Sequence, residues 1–200
     1  VHYLNKAYEY MNASVGTQHP EIVPVLTNLV ASHLNLANFD SAFYYSAKAE
    51  ALQKSLSDAP SRRLAMIYSQ KAMALFKAGR FDAGVEASLQ AIDTYHETVG
   101  QKHPDLAQIC SALAEAQVKQ ALYASALTNA QNALVANAPV FDTTDVRQNP
   151  EPTDWLNFMN QVNASTAKAQ ALWGLYQEKG DPAYLQAISS LAQVFDNLML

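Results

Sequence analysis

One spacing constrains this chain more than any other feature: residues of the stretch Phe76 to Ala91, FKAGRFDAGVEASLQA, recur every 42 positions. Phe81, Gly84 and Ala91 have counterparts 42 residues earlier at Phe39, Ala42 and Ala49, and 42 later at Tyr123, Ala126 and Ala133. A unit repeated at a period of a few tens of residues cannot bury its apolar face alone and stacks on its neighbours. The stretch itself reads as a helix end, a tight turn and a helix start. The repeating unit is therefore a helical hairpin, and the expected fold is all-α: a solenoid of antiparallel helix pairs in a right-handed superhelix, with nine helices and no sheet.

Composition agrees with packed helices. Half the residues are apolar, 16% are charged, and 200 residues include only 6 Gly and 8 Pro, which disfavours both disorder and a turn-rich β fold. A net charge of −5 with scattered acids and bases lacks the basic surface that nucleic acid phosphates demand. Apolar runs last only a few residues, far short of the ~20 that span a bilayer. The lone Cys110 excludes an intramolecular disulfide and leaves the compartment unread.

In chain order, residues 1–15 read as the orphan second helix of an earlier unit, because Ala7 lies 42 residues before Ala49. Units then span 16–57, 58–99 and 100–137; 138–152 is an inserted loop with three prolines, and 153–200 is a longer, divergent unit. The orphan start and the apolar end Leu198-Met199-Leu200 suggest a fragment of something longer. The linker Val15-Gly16-Thr17-Gln18-His19-Pro20 returns 84 residues later as Val99-Gly100-Gln101-Lys102-His103-Pro104. Glycine suits the left-handed close of one helix and proline the first turn of the next. The middle linker keeps its length but has decayed to Ser57-Asp58-Ala59-Pro60-Ser61-Arg62.

First helices are expected over Pro20–Ala37, Ser61–Ala78 and Pro104–Ala121, with a stripe in the second at Leu64, Ile67, Tyr68, Ala72, Leu75 and Phe76. Second helices should begin near Asp40, Asp82 and Tyr123, the two aspartates serving as N-caps. Ala42, Gly84 and Ala126 would let the paired helices approach closely. After the loop, Thr153 or Asp154 should cap a long helix with Trp155, Met159, Val162, Ala169, Leu172 and Tyr176 on one face. Gly180-Asp181-Pro182 should close it, and a last helix carries Leu185, Ile188, Leu191, Ala192, Phe195 and Leu198.

These residues resemble a known family. Asn28-Leu29-Val30 followed by His33, Phe39 and Ala42 is similar to the tetratricopeptide (TPR) pattern, over nearly the whole chain. The 42-residue period exceeds the standard 34 and, with Gly-x-x-His-Pro, resembles the subclass of kinesin light chains and bacterial multi-repeat proteins. Departures are Lys71 for the usual Leu, Gln117 for the usual Tyr, and Ala37 and Ala121 for the turn glycine kept at Gly79. The last unit, from Lys168-Ala169-Gln170-Ala171-Leu172 through Leu175-Tyr176 and Lys179-Gly180-Asp181 to Leu185-Gln186-Ala187-Ile188, resembles the repeat preceding the caspase-like CHAT protease domain of large bacterial proteins.

Catalytic chemistry finds little footing. Cys110 with His103 is the one pairing that suggests a nucleophile and base, but Cys110 stands in register with Leu26 and Tyr68, a core position, and His103 belongs to a linker motif repeated at His19. His19, His33, His96 and His103 lack ligand spacing for zinc. Glu86, Asp93, Glu97 and Glu115 read as solvated faces, and no glycine-rich phosphate loop exists. Asn12-Ala13-Ser14 and Asn163-Ala164-Ser165 match the glycosylation sequon without further support. No catalytic, cofactor or metal residue is therefore expected.

What the resemblance implies is a concave groove lined by the first helices. Its groove-facing residues would be Thr27, Ala31, Leu34 and Asn35; then Met66, Ser69, Met73, Phe76 and Lys77; then Gln108, Ser111, Glu115, Val118 and Lys119. The repeated Lys and Asn pairs with which some family members clamp a chaperone's C-terminal carboxylate are missing. The expectation is a non-catalytic scaffold that binds a peptide, a protein or another domain of its own polypeptide. The alternative is a regulatory arm of a CHAT protease.

Overall fold

The computed structural model describes residues 1–57 and 59–196, and every regular element among them is helical. Nine α-helices follow one another among these residues, with one 3₁₀ turn and no strand. They fall into two compact units, residues 1–98 and 99–200.

The first unit holds α1 (His2–Val15), α2 (Ile22–Asn35), α3 (Phe39–Leu56), α4 (Arg62–Lys77) and α5 (Phe81–Val99, which runs one residue past the unit's edge). α2 packs on α1, α3 and α4, and α3 also packs on α4. Turns of three residues join α2 to α3 and α4 to α5, which obliges each pair to run antiparallel. Ile22, Val23, Leu26, Ala49, Leu52 and Ile67 form one buried cluster, with Tyr8 and Met11 of α1 laid against it. Tyr45 donates its hydroxyl to Asn5 Oδ1 at 3.2 Å, and Lys48 Nζ donates to Tyr8 Oη at 3.2 Å, so α1 is tied to α3 by polar as well as apolar bonds. On α4 the expected stripe is buried at Leu64, Ile67, Tyr68, Ala72 and Leu75, and Phe76 is half-buried.

The second unit holds α6 (Pro104–Lys119), α7 (Tyr123–Ala136), α8 (Phe158–Lys179) and α9 (Pro182–Asp196), with the 3₁₀ turn at Pro152–Asp154. α7 packs on α6, α8 on both, and α9 on α8. Leu106, Ile109, Cys110 and Leu113 are buried along α6. Ala126, Leu127, Ala171, Leu172, Leu175 and Ala187 form the buried cluster shared by α7, α8 and α9.

The turns repeat atom for atom. Ala37, Gly79 and Ala121, spaced 42 apart, have φ of 53°, 73° and 56°. After each, an N–H bonds back five residues: Asn38 to His33, Arg80 to Leu75 and Leu122 to Gln117, all at 2.8–2.9 Å. This is the Schellman close of a helix, which wants a left-handed residue. Two of the three repeats place alanine there, at a conformation that costs a side-chain-bearing residue roughly 1–2 kcal/mol.

Several sequence expectations need correction. Asp40 and Asp82 lie inside the first turns of α3 and α5; the cap of α3 is Asn38, whose side chain accepts from Ser41 N. Pro104 opens α6, but α2 starts at Ile22, two residues past Pro20. The repeated histidines act at both sites: His103 caps α6, its Nδ1 accepting from Asp105 N at 3.1 Å, while His19 Nδ1 accepts from Glu21 N at 3.3 Å in the turn before α2. The decayed linker keeps its function through Ser61, which accepts from Leu64 N.

Neither Thr153 nor Asp154 caps α8, which begins at Phe158 under an Asn157 cap. Trp155 stands before the helix, its ring 5.6 Å from Phe195 and 6.0 Å from Phe158. Of the expected stripe only Leu172 is buried; the buried face of α8 is otherwise Ala164, Ala167, Lys168, Ala171 and Leu175, and Met159 is 59% exposed. Crowding sets one point of this face: Gly174 lies under the Tyr123 ring, where any Cβ would overlap it. Gly180 closes α8 in the left-handed conformation as expected, and α9 buries Ala187 and Leu191. Leu198, Met199 and Leu200 lie outside the described residues.

Candidate partner-binding surfaces

The sequence-proposed groove residues occupy register positions that the structure treats differently. Thr27, Ser69 and Ser111 share one position and all are buried. Thr27 Oγ1 donates to Pro24 O at 2.9 Å and Ser69 Oγ to Ala65 O at 3.0 Å, so these hydroxyls are spent on their own helices. Leu34 is buried, while its counterparts Phe76 and Val118 are half-buried. Asn35, Lys77 and Lys119, again one position, are exposed in all three helices. Ala31, Met73 and Glu115 grade from half-buried to exposed; Met66 is half-buried and Gln108 exposed. The first unit thus presents Asn35, Met66, Met73 and Lys77, and the second presents Gln108, Glu115 and Lys119.

Phe76 is committed elsewhere. Its ring lies 5.9 Å from that of Phe81, and a Cβ built on Gly84 would sit 2.5 Å from Phe76 Cε1. The ring fills the space that glycine leaves at the α4–α5 crossing, so the close approach read from the sequence is real and Phe76 is its partner. In the second unit Glu115 and Lys119 form an ion pair at 2.7 Å one helical turn apart, both well exposed, a pair of the kind worth only ~0.3–0.5 kcal/mol.

The inserted segment is built into the second unit. The Lys168 side chain of α8 is 0% exposed, and its ammonium donates to Gln131 Oε1 at 2.7 Å, Gln148 O at 2.8 Å and Asn149 Oδ1 at 2.8 Å. Gln131 in turn donates to Thr143 O and Asp145 O. Asn137 carries the other end: its amide donates to Asn157 O and Gln161 Oε1, and its oxygen accepts from Asn157 N. Asp154, which does not cap α8, receives the N–H groups of Val140 and Phe141. Burial pulls the Lys168 pKa down to about 7, opposed by the Asp145 carboxylate. Hydrogen bonds from Arg147 hold the Asp145 carboxyl far below the usual range. Sequence reasoning treated Lys168 only as part of a family resemblance, because a lysine among alanines gives no sign of its partners.

The titratable groups with nucleophilic potential point to packing. Cys110 is buried, and loss of solvation pushes its thiol up to about 12, the opposite of an activated thiolate. His103 is engaged as a helix cap. Among the described residues no three His, Cys, Asp or Glu side chains converge as metal ligands would, and no helix is long and apolar enough to cross a membrane.

Hairpins of one register, closed by the same turn, define a helical-repeat protein. No protein-family model and no curated protein matches the chain. Among solved structures, it is similar to the crystal structure of BtubC (BKLC) from P. vanneervenii, with a TM-score of 0.56 at 15% identity, over 98% of this chain and 87% of that one. At that identity the likeness speaks to the fold, and it agrees with the helical repeat read from the spacing.

Proposed function

We propose that this chain is a non-catalytic protein–protein interaction scaffold of the TPR type, in the 42-residue subclass that includes kinesin light chains. Its partner is a peptide or protein, or a domain of the same polypeptide. The observation that carries this reading is the position shared by Asn35, Lys77 and Lys119: in three successive first helices it stays exposed, whereas the position of Thr27, Ser69 and Ser111, two turns earlier, is buried in all three. On α4 it is flanked by Met66 and Met73, which are only half covered and whose flexible thioethers adapt to varied partners. Tests should use Met73→Ala and Lys77→Ala, with Glu97→Gln on α5 as the control. Partner retention should fall at least tenfold for the first two and hold for the third; equal retention in all would remove the site from α4.

The second reading is a regulatory arm of a CHAT protease. It draws on the resemblance of residues 168–188, and the polar clasp fits it, because a segment held by hydrogen bonds to Lys168, Gln131, Asn137 and Asp154 can be released as a whole once these are broken. A reading frame continuing into an α/β domain with a His and Cys dyad would support it, and one continuing into further repeats would not.

A further inference from the structure

A cleft of about 290 Å³ opens in the first unit between the second helices α3 and α5, with α4 as its floor. Its walls mix apolar and polar groups: Phe43 and Leu75 beside Ser46, Lys71, Arg80 and Glu86. None of these belongs to the surface proposed above, so the site stands or falls independently of that reading.

Arg80 carries the argument. Its Cζ lies 5.2 Å from the centre of the Phe43 ring, so the ring supports the guanidinium. Among the described residues no hydrogen bond or ion pair engages its side chain, although its backbone N–H closes the turn on Leu75 O. The contact leaves the exposed guanidinium at the mouth of the cleft, and its planar donor fork suits a carboxylate received through two parallel bonds. Lys71 does not compete, because its charge is already met by Glu50 at 3.1 Å. Ser46 supplies an independent sign of a missing partner: it is 2% exposed and its hydroxyl has none among the described residues, whereas buried hydroxyls are nearly always paired. Phe43 and Leu75 then offer apolar wall to whatever the carboxylate is attached to. Glu86 on the same cleft selects against dianions, since a second negative charge on the ligand would face it.

We propose that this cleft is a second ligand site, one that takes a peptide carboxylate flanked by an apolar group, with Arg80 gripping the carboxylate and Ser46 pairing an oxygen from the α3 wall. Such a carboxylate can come from an acidic side chain or from a chain terminus, and small probes separate the two. The intact ¹⁵N-labelled chain should be titrated with N-acetyl-leucine, with N-acetyl-glutamate α-amide, with N-acetyl-leucine amide and with inorganic phosphate. Saturable shifts at Ser46, Phe43 and Arg80 in the millimolar range are expected for one or both carboxylates, the stronger naming the source. The neutral amide and phosphate should bind at least tenfold more weakly.

Arg80→Ala should weaken carboxylate binding at least tenfold and Arg80→Lys severalfold, because lysine keeps the charge but loses the fork. Ser46→Ala should weaken it severalfold, while Glu97→Gln leaves it unchanged; melting curves of each variant verify the fold. Equal binding of acid and amide, equal binding of phosphate, or unaltered binding by folded Arg80→Ala would each overturn the proposal.

Discussion

The two units solve the same packing problem with different chemistry. In residues 1–98 the helices are joined by apolar fits that recur with the period, such as the Phe76 ring over Gly84 and the buried Ala42 and Ala49. In residues 99–200 the periodic fits continue at Ala126, Ala130 and Ala133, but the aperiodic segment 137–157 is held by amides and one ammonium: Asn137, Gln131 and Lys168. Apolar contacts are non-directional and need only the right stripe of residues. A buried polar clasp needs every donor matched to an acceptor, because an unmatched one costs ~1–3 kcal/mol. The repeat should therefore tolerate substitutions that preserve volume, and the clasp should tolerate almost none.

The sharpest way to break that contrast is at the crossings. Gly84→Leu and Ala91→Arg force a large group against the Phe76 ring or into a position with no exposed surface. Each should cost about 3 kcal/mol or more, since overpacking alone costs ~1–3 kcal/mol and a buried charge adds to it. Urea midpoints read this, with Glu97→Gln expected at roughly 0.5 kcal/mol or less. Similar shifts for all three would mean that the register does not set the packing.

A somewhat smaller loss is expected from Lys168→Met, which removes a costly buried charge yet strands three acceptors, for a net of about 2 kcal/mol. Hydrogen exchange should then speed up in residues 141–149 while α2 to α4 keep their protection. Loss of protection throughout, or nowhere, would refute the clasp as a local device.

The same lysine sets a pH dependence. Its folded pKa of about 7 lies below the unfolded value of 10.5, so between those pH values the unfolded chain binds more protons and stability rises with pH. The wild type should gain on Lys168→Met by at most ~1.4 kcal/mol per pH unit from pH 7 towards 10. No relative change across that range would show that the ammonium keeps its proton in place.

The smallest effects belong to the turns. Ala37→Gly and Ala121→Gly should stabilise by roughly 0.5–1 kcal/mol, since glycine relieves the left-handed strain and gives back part of that gain as chain entropy. Gly79→Ala should cost a similar amount, and by backbone strain alone, because nothing lies within 4 Å of the added Cβ. A glycine that fails to stabilise at 37 or 121, or an alanine that is harmless at 79, would show that the three turns are not equivalent.

What the sequence made legible follows from this contrast. Period, turn positions and crossing residues are encoded locally and repeated, so Gly84, Ala91 and the left-handed site at Gly79 could be read directly. The substitution of alanine at 37 and 121 looked like a departure, yet the backbone there is unchanged, because the fold imposes the turn and the residue bears the strain. Lys168, Asn137 and Asp154 could not be read, since their partners lie in a segment with no second copy to compare. Asn38 and Asp40 carry the same capping chemistry two residues apart, so residue type alone does not choose between them. That the Phe76 ring packs on Gly84 appears only once both helices are present, because neither residue alone reveals the crossing.

The central functional claim is that the exposed row on the first helices meets a partner. It is tested most directly by placing a photo-crosslinking amino acid at positions 35, 77 and 119, and at position 97 on α5, in the chain expressed in its own cells. The account predicts one recurring adduct from 35, 77 or 119 and none from 97. An adduct from 97 with nothing from the other three would contradict it.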